Sequence, residues 1–252
     1  MRVLIIGATG GVGTYSSSLS VVSIDLNPIS GLQLIDYMLR ESHTVVIYAR
    51  TPSKLPESIT SNPSVKVVKG ELGDREALKG ALTGVDAVLS ALGPSVKKGP
   101  LHPSGTPLAK AYVLILEVMK EVNVKRLILL GTASMKDPND KFNLEFWVLV
   151  NGVAAFAHNA YKVNINDISS ILLTASQDVV AIGETVRADH DILWTIVRVP
   201  ILTDKDEDRF VAGYVGDKKT KAWLPRKGFA AFVAQELKSN EWVQKQPLLS
   251  TP

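Results

Sequence analysis

The sequence predicts a three-layer α/β/α fold built on a doubly wound parallel sheet, with a small C-terminal lobe on the substrate side. Three observations predict it. Apolar, β-branched runs recur at 3–6 (VLII), 45–48 (VVIY), 65–68 (VKVV), 87–89 (AVL), 127–130 (LILL) and 194–197 (WTIV). Such short runs mark strands buried on both faces, as in a parallel sheet. Helical patterns stand between them, and β–α alternation calls for helices on both sides of the sheet. A glycine-rich turn directly follows the first run.

That turn is the first element with chemistry in it. Gly7, Gly10 and Gly13 fit G-x-x-G-x-x-G, with Thr9, Gly11 and Val12 among them. Glycine is needed where the backbone turns tightly, approaches a pyrophosphate and aims amides at it from a helix N-terminus. The pattern alone is a weak signal. Placed after a buried strand and before five further strand candidates, it predicts a Rossmann-like dinucleotide cradle.

The helix that should follow is displaced. Residues 32–40 carry Leu32, Ile35 and Leu39 on one face, but 14–31 (TYSSSLSVVSIDLNPISG) has no helical stripe. Gly7 and Arg50 lie 43 positions apart, against an expected interval of about 20 to the ribose-binding position. Without 14–31 the interval falls to 25. A second stretch, 163–177 (VNINDISSILLTASQ), breaks a helix-like run with residues that favour turns. Both are atypical insertions. Each is either a surface insertion, which loops tolerate, or an in-frame intron carried into the chain, since codons compatible with splice sites can flank both.

The second strand should end at the adenosine ribose, where an acid would favour NAD and a cation NADP. Here Arg50, Thr51, Ser53 and Lys54 follow it with no acid among them. NADP(H) is therefore expected over NAD(H), with Arg50, Ser53 and Lys54 at the 2′-phosphate. Further on, 75–82 reads as a short helix capped by Asp74, and 108–122 as a longer apolar one. Beyond Pro200, segments 210–215 and 221–224 read as a hairpin and 228–237 as a last helix. The region of about 200–228 would be a substrate-side lobe of one domain spanning 1–252.

Composition removes several alternatives. The chain has no cysteine, which excludes disulfides, cysteine-ligated zinc and a cysteine nucleophile. Its four histidines are far apart, so no metal is expected. A net charge of +3 with scattered Lys and Arg argues against nucleic acid. The opening VLII is too short for a signal-peptide core or a membrane span. A cytoplasmic protein, a monomer or weak dimer acting on a small molecule, is the expectation.

The motifs GATGGVG, ARTPSKL, VVKGELGD, GVDAVLSALG, VKRLILLGTASMKDP and WTIVRVPIL follow one another in order. In this the chain resembles the atypical short-chain dehydrogenase/reductases with an NAD(P)H-binding, NmrA-like core, and most of all the flavin reductase/biliverdin reductase B type. The resemblance covers nearly the whole chain outside 14–31 and 163–177. It implies an NADP(H)-dependent oxidoreductase that passes hydride to a small planar or carbonyl acceptor such as a flavin or quinone. It implies Glu71 and Leu72 beside adenine, and Ala91, Leu92 and Gly93 near the pyrophosphate and nicotinamide ribose. It places Thr132, Ala133 and Ser134 beside the nicotinamide, with Thr132 and Ser134 as the catalytic hydroxyls, and Pro200 near the nicotinamide amide.

One departure stands out. Classical members pair Tyr and Lys as Tyr-x-x-x-Lys on the helix after the fifth strand, so that the lysine lowers the tyrosine pKa. The one such spacing here is Tyr214 to Lys218, in the late lobe; Tyr161-Lys162 lacks it. This keeps open a non-catalytic NADP(H)-binding redox sensor acting through a protein partner. His158 and His190 are the histidines to weigh as proton donors. Gly228 stands where related sequences tend to have an acid.

Overall fold

The computed structural model describes residues 1–8, 28–93, 106–148 and 178–252. All six predicted strands are present: β1 Arg2–Ile6, β2 Thr44–Ala49, β3 Val65–Lys69, β4 Ala87–Ser90, β5 Arg126–Thr132 and β6 Leu193–Val199. Short strands follow as β7 Ile201–Thr203, β8 Val211–Gly213, β9 Trp223–Pro225 and β10 Leu248–Ser250. The main sheet has eight strands in the order β3-β2-β1-β4-β5-β6-β10-β8. β1 to β6 pair in parallel throughout, with Ile6 opposite Tyr48 on one side and Ser90 on the other. The winding direction therefore reverses between β1 and β4, where open α/β sheets carry their ligand crevice.

The central strands bury both faces by alternation, as their period of two requires. In β1, Leu4 and Ile6 enter one core while Val3 and Ile5 enter the other. The first core is roofed by α3 Arg75–Leu82, α4 Pro107–Glu121 and α6, residues 178–187; the second by α1 Pro28–Arg40 and α7 Arg226–Ser239. Two minor helices are α2 Glu57–Thr60 and α5, residues 144–148. Leu34, Ile35 and Met38 of α1 are fully buried. At about 1.5–3 kcal/mol each, they hold the helix on the sheet far more firmly than its own propensity does. Asp74 caps α3 as predicted, accepting the Ala77 amide at 3.0 Å.

At the N-terminal edge of the sheet a buried ion pair fastens β5, β6 and α7. Arg126 donates to Glu236 at 2.6 Å, to Thr195 Oγ1 at 2.9 Å, to Asn240 Oδ1 at 2.9 Å and to the Leu193 carbonyl at 2.7 Å. With every one of these donors used, the buried guanidinium is compensated.

Two expectations change. α1 begins at Pro28, so the last four residues of 14–31 are its first turn. The hairpin of 210–215 with 221–224 does not form. β8 pairs antiparallel with β10, while β9 pairs parallel with β7 in a separate two-stranded sheet. The reason is local. The Asp217 carboxylate accepts the amides of Tyr214, Lys219 and Thr220 and closes a compact turn, from which the two segments leave without facing each other. The predicted last helix is there, two residues longer at each end.

Candidate cofactor and active site

The C-terminal ends of β1 to β6 form one edge of the sheet, and most predicted site residues stand on it. At its centre Gly7 has φ +95, a conformation that a side chain would strain. A Cβ there would lie 2.7 Å from the Ala91 carbonyl carbon and 2.8 Å from the Leu92 amide nitrogen. The Ala91 amide donates to the Ile6 carbonyl at 2.9 Å. β1 and β4 thus meet at the winding reversal, where open α/β sheets carry their ligand crevice, with room for backbone alone. Ala91 is buried, and Leu92 and Gly93 are half-buried beside it. Thr9, Gly10, Gly11, Val12 and Gly13 lie outside the described residues, as do His158, Tyr161, Lys162 and the whole of 163–177.

The β4 end is anchored from below. Ser90 and Tyr112 share a 2.7 Å hydrogen bond in the buried core, and Ser90 Oγ accepts the Leu92 amide at 3.3 Å. Burial pushes the Tyr112 phenol well above its ordinary range. It is a fixed neutral hydroxyl that orients Ser90.

The β2 end leads into an exposed basic turn. Arg50, Ser53 and Lys54 are exposed, with residues 52–54 in one 3₁₀ turn. Among the described residues neither cation is paired with an acid. In the loop after the adjacent β3, Glu71 is exposed and Leu72 half-buried against the first core. Tyr48 fixes this loop, donating to the Glu71 carbonyl at 2.7 Å. Burial, then the charges of Asp74 and Glu71, push the Tyr48 phenol up to about 12.

At the β5 end Thr132 and Ser134 hydroxyls stand 2.7 Å apart, both half-buried. The Ala133 amide between them donates to the Val199 carbonyl at 3.1 Å. Their loop is held by Arg198, which is fully buried. It donates to Asp140 through two bonds of 2.6 and 2.8 Å, to the Met135 carbonyl at 2.8 Å and to the Gln246 carbonyl at 2.8 Å. Asp140 also accepts the Asp137 and Val215 amides. Burial alone would raise the Asp140 carboxyl, but the Arg198 guanidinium and the two amides outweigh it and hold it below its ordinary value. Pro200 follows β6 and is buried.

Two sequence candidates fall elsewhere. His190 is exposed just before β6, at the opposite edge of the sheet from Thr132, and its carbonyl meets Gln244. Tyr214 packs edge-on against Trp242, whose carbonyl accepts from Thr195 near the start of β6, and Lys218 is exposed in a left-handed turn. Gly228 is buried in the first turn of α7, where an added Cβ would come within 3.2 Å of the Arg209 carbonyl oxygen. Sequence reasoning missed Tyr48, Ser90, Tyr112 and the Arg198–Asp140 clasp. It also missed Asp178, a fully buried acid whose two oxygens accept the Leu108 and Ala109 amides at the start of α4. Thr106, the residue before that helix, gives no side-chain cap.

Among the described residues no cluster of metal-ligating side chains occurs, and no helix is long and apolar enough to cross a membrane. No curated protein matches the sequence. Solved structures share the fold across the full chain. A short-chain dehydrogenase/reductase from Veillonella parvula in complex with NADP is 14% identical, with TM-score 0.67 over 100% of this chain and 94% of its own. ChuY, an anaerobilin reductase from Escherichia coli O157:H7, is 14% identical, with TM-score 0.65 over 100% and 98%. A Rossmann-fold NAD(P)-binding protein from Shigella flexneri is 18% identical, with TM-score 0.62 over 100% and 93%. A family model described as NAD(P)H-binding matches residues 30–240, and the chain belongs to that family.

Proposed function

We propose that the protein is an NADP(H)-dependent oxidoreductase acting on a small planar or carbonyl acceptor, with residues 1–252 working as one domain. The observation that carries this is the Thr132–Ser134 hydroxyl pair at the end of β5, on the same sheet edge as the Gly7–Ala91 closure. What supports a dinucleotide is the close backbone approach of Gly7 to Ala91 and Leu92 at the winding reversal, with the Leu92 amide fixed there by its bond to Ser90 Oγ. Gly7, Ala91, Leu92 and Gly93 would line the pyrophosphate and ribose, and Glu71 and Leu72 the adenine. Arg50, Lys54 and the Ser53 hydroxyl would take the 2′-phosphate, for which unpaired cations at the β2 end are the appropriate partners. A nicotinamide bound here supplies hydride.

The chain's own part is then orientation and proton supply. Of the two hydroxyls 2.7 Å apart, one donates to the other, which leaves a single O–H to point outward. That hydrogen is available to the acceptor atom on which negative charge develops during reduction. The hydroxyl's own proton is replaced from water, with no covalent intermediate. Arg198 and Asp140 keep the loop that carries Ser134 in register with β6. Pro200, rigid and without an amide hydrogen, would face the nicotinamide amide.

The test is titration calorimetry with NADPH and NADH, followed by NADPH oxidation with flavins, quinones and simple carbonyls. Tighter binding of NADPH and steady turnover with one acceptor class are expected. Equal affinity for both nucleotides overturns the NADP assignment. Tight binding without turnover over the panel replaces the enzyme with a cofactor sensor.

A further inference from the structure

A glycine other than the one the sequence spacing selects touches the end of the first strand. In the dinucleotide fingerprint the third glycine lets the helix lie directly on the end of the strand. Spacing gives that place to Gly13. In the structure Gly31, in the first turn of α1, makes this contact. A Cβ on Gly31 would stand 2.7 Å from Ala8 Cα, 3.1 Å from the Gly7 carbonyl oxygen and 3.2 Å from the Ala8 nitrogen. All three are backbone atoms, which cannot swing aside as the tip of a side chain can. Gly7 is pressed on its other flank by Ala91 and Leu92. The Gly7–Ala8 backbone is therefore gripped between two close approaches, and Gly31 makes one of them.

Two further observations agree. The match to the NAD(P)H-binding family starts at residue 30, so Gly31 lies within the matched region and Gly13 outside it. Ser30 is wholly buried and its hydroxyl has no partner among the described residues. A buried, unpaired hydroxyl is unfavourable, and an apolar side chain of similar size suits the place better. In a chain where Val12 ran directly into Gly31, valine would occupy it.

We infer that Gly31 is the third glycine of the cofactor cradle, and that residues 13–30 are an interposed segment which the cradle does not need. This deepens the dinucleotide reading and rests on it. It also resolves an ambiguity in the sequence. Removing 14–31 or removing 13–30 yields the same polypeptide, GATGGVGLQLIDYML, because a glycine borders the segment on each side. The sequence alone does not choose between the two glycines; in the fold it is Gly31 that lies against Ala8 and Gly7.

The test compares the full chain with Gly13→Ala, with Gly31→Ala and with a shortened chain lacking 13–30. Each is measured for its melting midpoint without ligand and its NADPH affinity by fluorescence titration. Gly31→Ala is expected to lower the midpoint by about 5 °C or more and to weaken NADPH at least about tenfold. Outright failure of Gly31→Ala to fold, while Gly13→Ala folds, supports the same conclusion. Gly13→Ala is expected to match the parent in both measurements. The shortened chain should melt cooperatively at or above the parent midpoint and bind NADPH at least as tightly. Gly31→Ala within it should cost as much as in the full chain. Equal damage from Gly13→Ala and Gly31→Ala, or loss of folding or binding in the shortened chain, overturns the proposal. A parent chain that binds neither NADPH nor NADH overturns the dinucleotide reading instead, and the ligand-free midpoints still decide whether 13–30 is interposed.

Discussion

Asp140→Ala tests how the loop bearing Ser134 is held. In the native protein Arg198 is fully buried and makes two bonds to Asp140, of 2.6 and 2.8 Å, the shorter from the Nη1 that also donates to Met135. Alanine leaves Nη2 of a buried guanidinium without its acceptor and strips the Asp137 and Val215 amides of theirs. Breaking a buried pair from one side costs roughly 3–5 kcal/mol. Asp140 is 18% exposed, so water reaches the vacated position and the lower end applies, about 3 kcal/mol. For a chain of this size that is a fall of about 6–12 °C in Tm. Equilibrium urea unfolding at pH 7 measures it. A loss below about 1 kcal/mol, the range of exposed pairs, refutes the reasoning. The pH dependence adds a check on sign. The folded Asp140 carboxyl is held below 3.8, so the folded state releases this proton more readily than the unfolded chain does. Its stabilisation is whole above about pH 4 and is lost as pH falls through the lowered value. The gap between parent and Asp140→Ala should be full at neutral pH and shrink in strong acid.

Other outcomes follow from the same geometry. Ser134→Ala should fold normally and bind NADPH as the parent does, while acceptor reduction slows by about a hundredfold, the lower range for a lost proton donor; stopped-flow NADPH oxidation reads this. Replacing Arg50 and Lys54 together by serine should weaken NADPH at least about tenfold and leave NADH unchanged, and it should flatten the salt dependence of NADPH binding. Calorimetry at two ionic strengths decides. Asp178→Ala removes both acceptors at the start of α4 and should cost about 2 kcal/mol by urea unfolding, the upper end for a helix cap because the acid is fully buried.

The central strands were legible because parallel strands bury both faces and must be apolar along their length, as 3–6 and 127–130 are. The edge was not. β8 and β10 are three residues each, too short for alternation to register, and their pairing joins segments far apart in the chain. The start of α1 was hidden for a different reason. Pro28 looks like a helix breaker, yet proline is at home in the first turn, where its missing amide hydrogen has no partner to lose. In the site, Arg50 was read from the turn that follows the second strand, and Ala91, Thr132 and Pro200 came from the order of motifs that the resemblance supplies. The supports beneath them could not. Arg198 meets Asp140 across 58 positions, and Tyr112 meets Ser90 across 22, and neither pairing leaves a local pattern.

The place of β10 in the sheet sets an order of assembly. Residues 244–248 run alongside β6, and Leu248–Ser250 slot between β6 and β8. As the chain is synthesised, β1 to β4 find one another early and that half of the sheet can close. β8 emerges and waits, since β10 is its only strand partner among the described residues. Until residue 248 arrives, the flank of β6 offers a row of unpaired backbone groups, the surface on which chains pair with their neighbours. A ribosomal pause or a proteolytic cut in that interval would yield a protein able to hold its first four strands together and inclined to aggregate through the flank of β6.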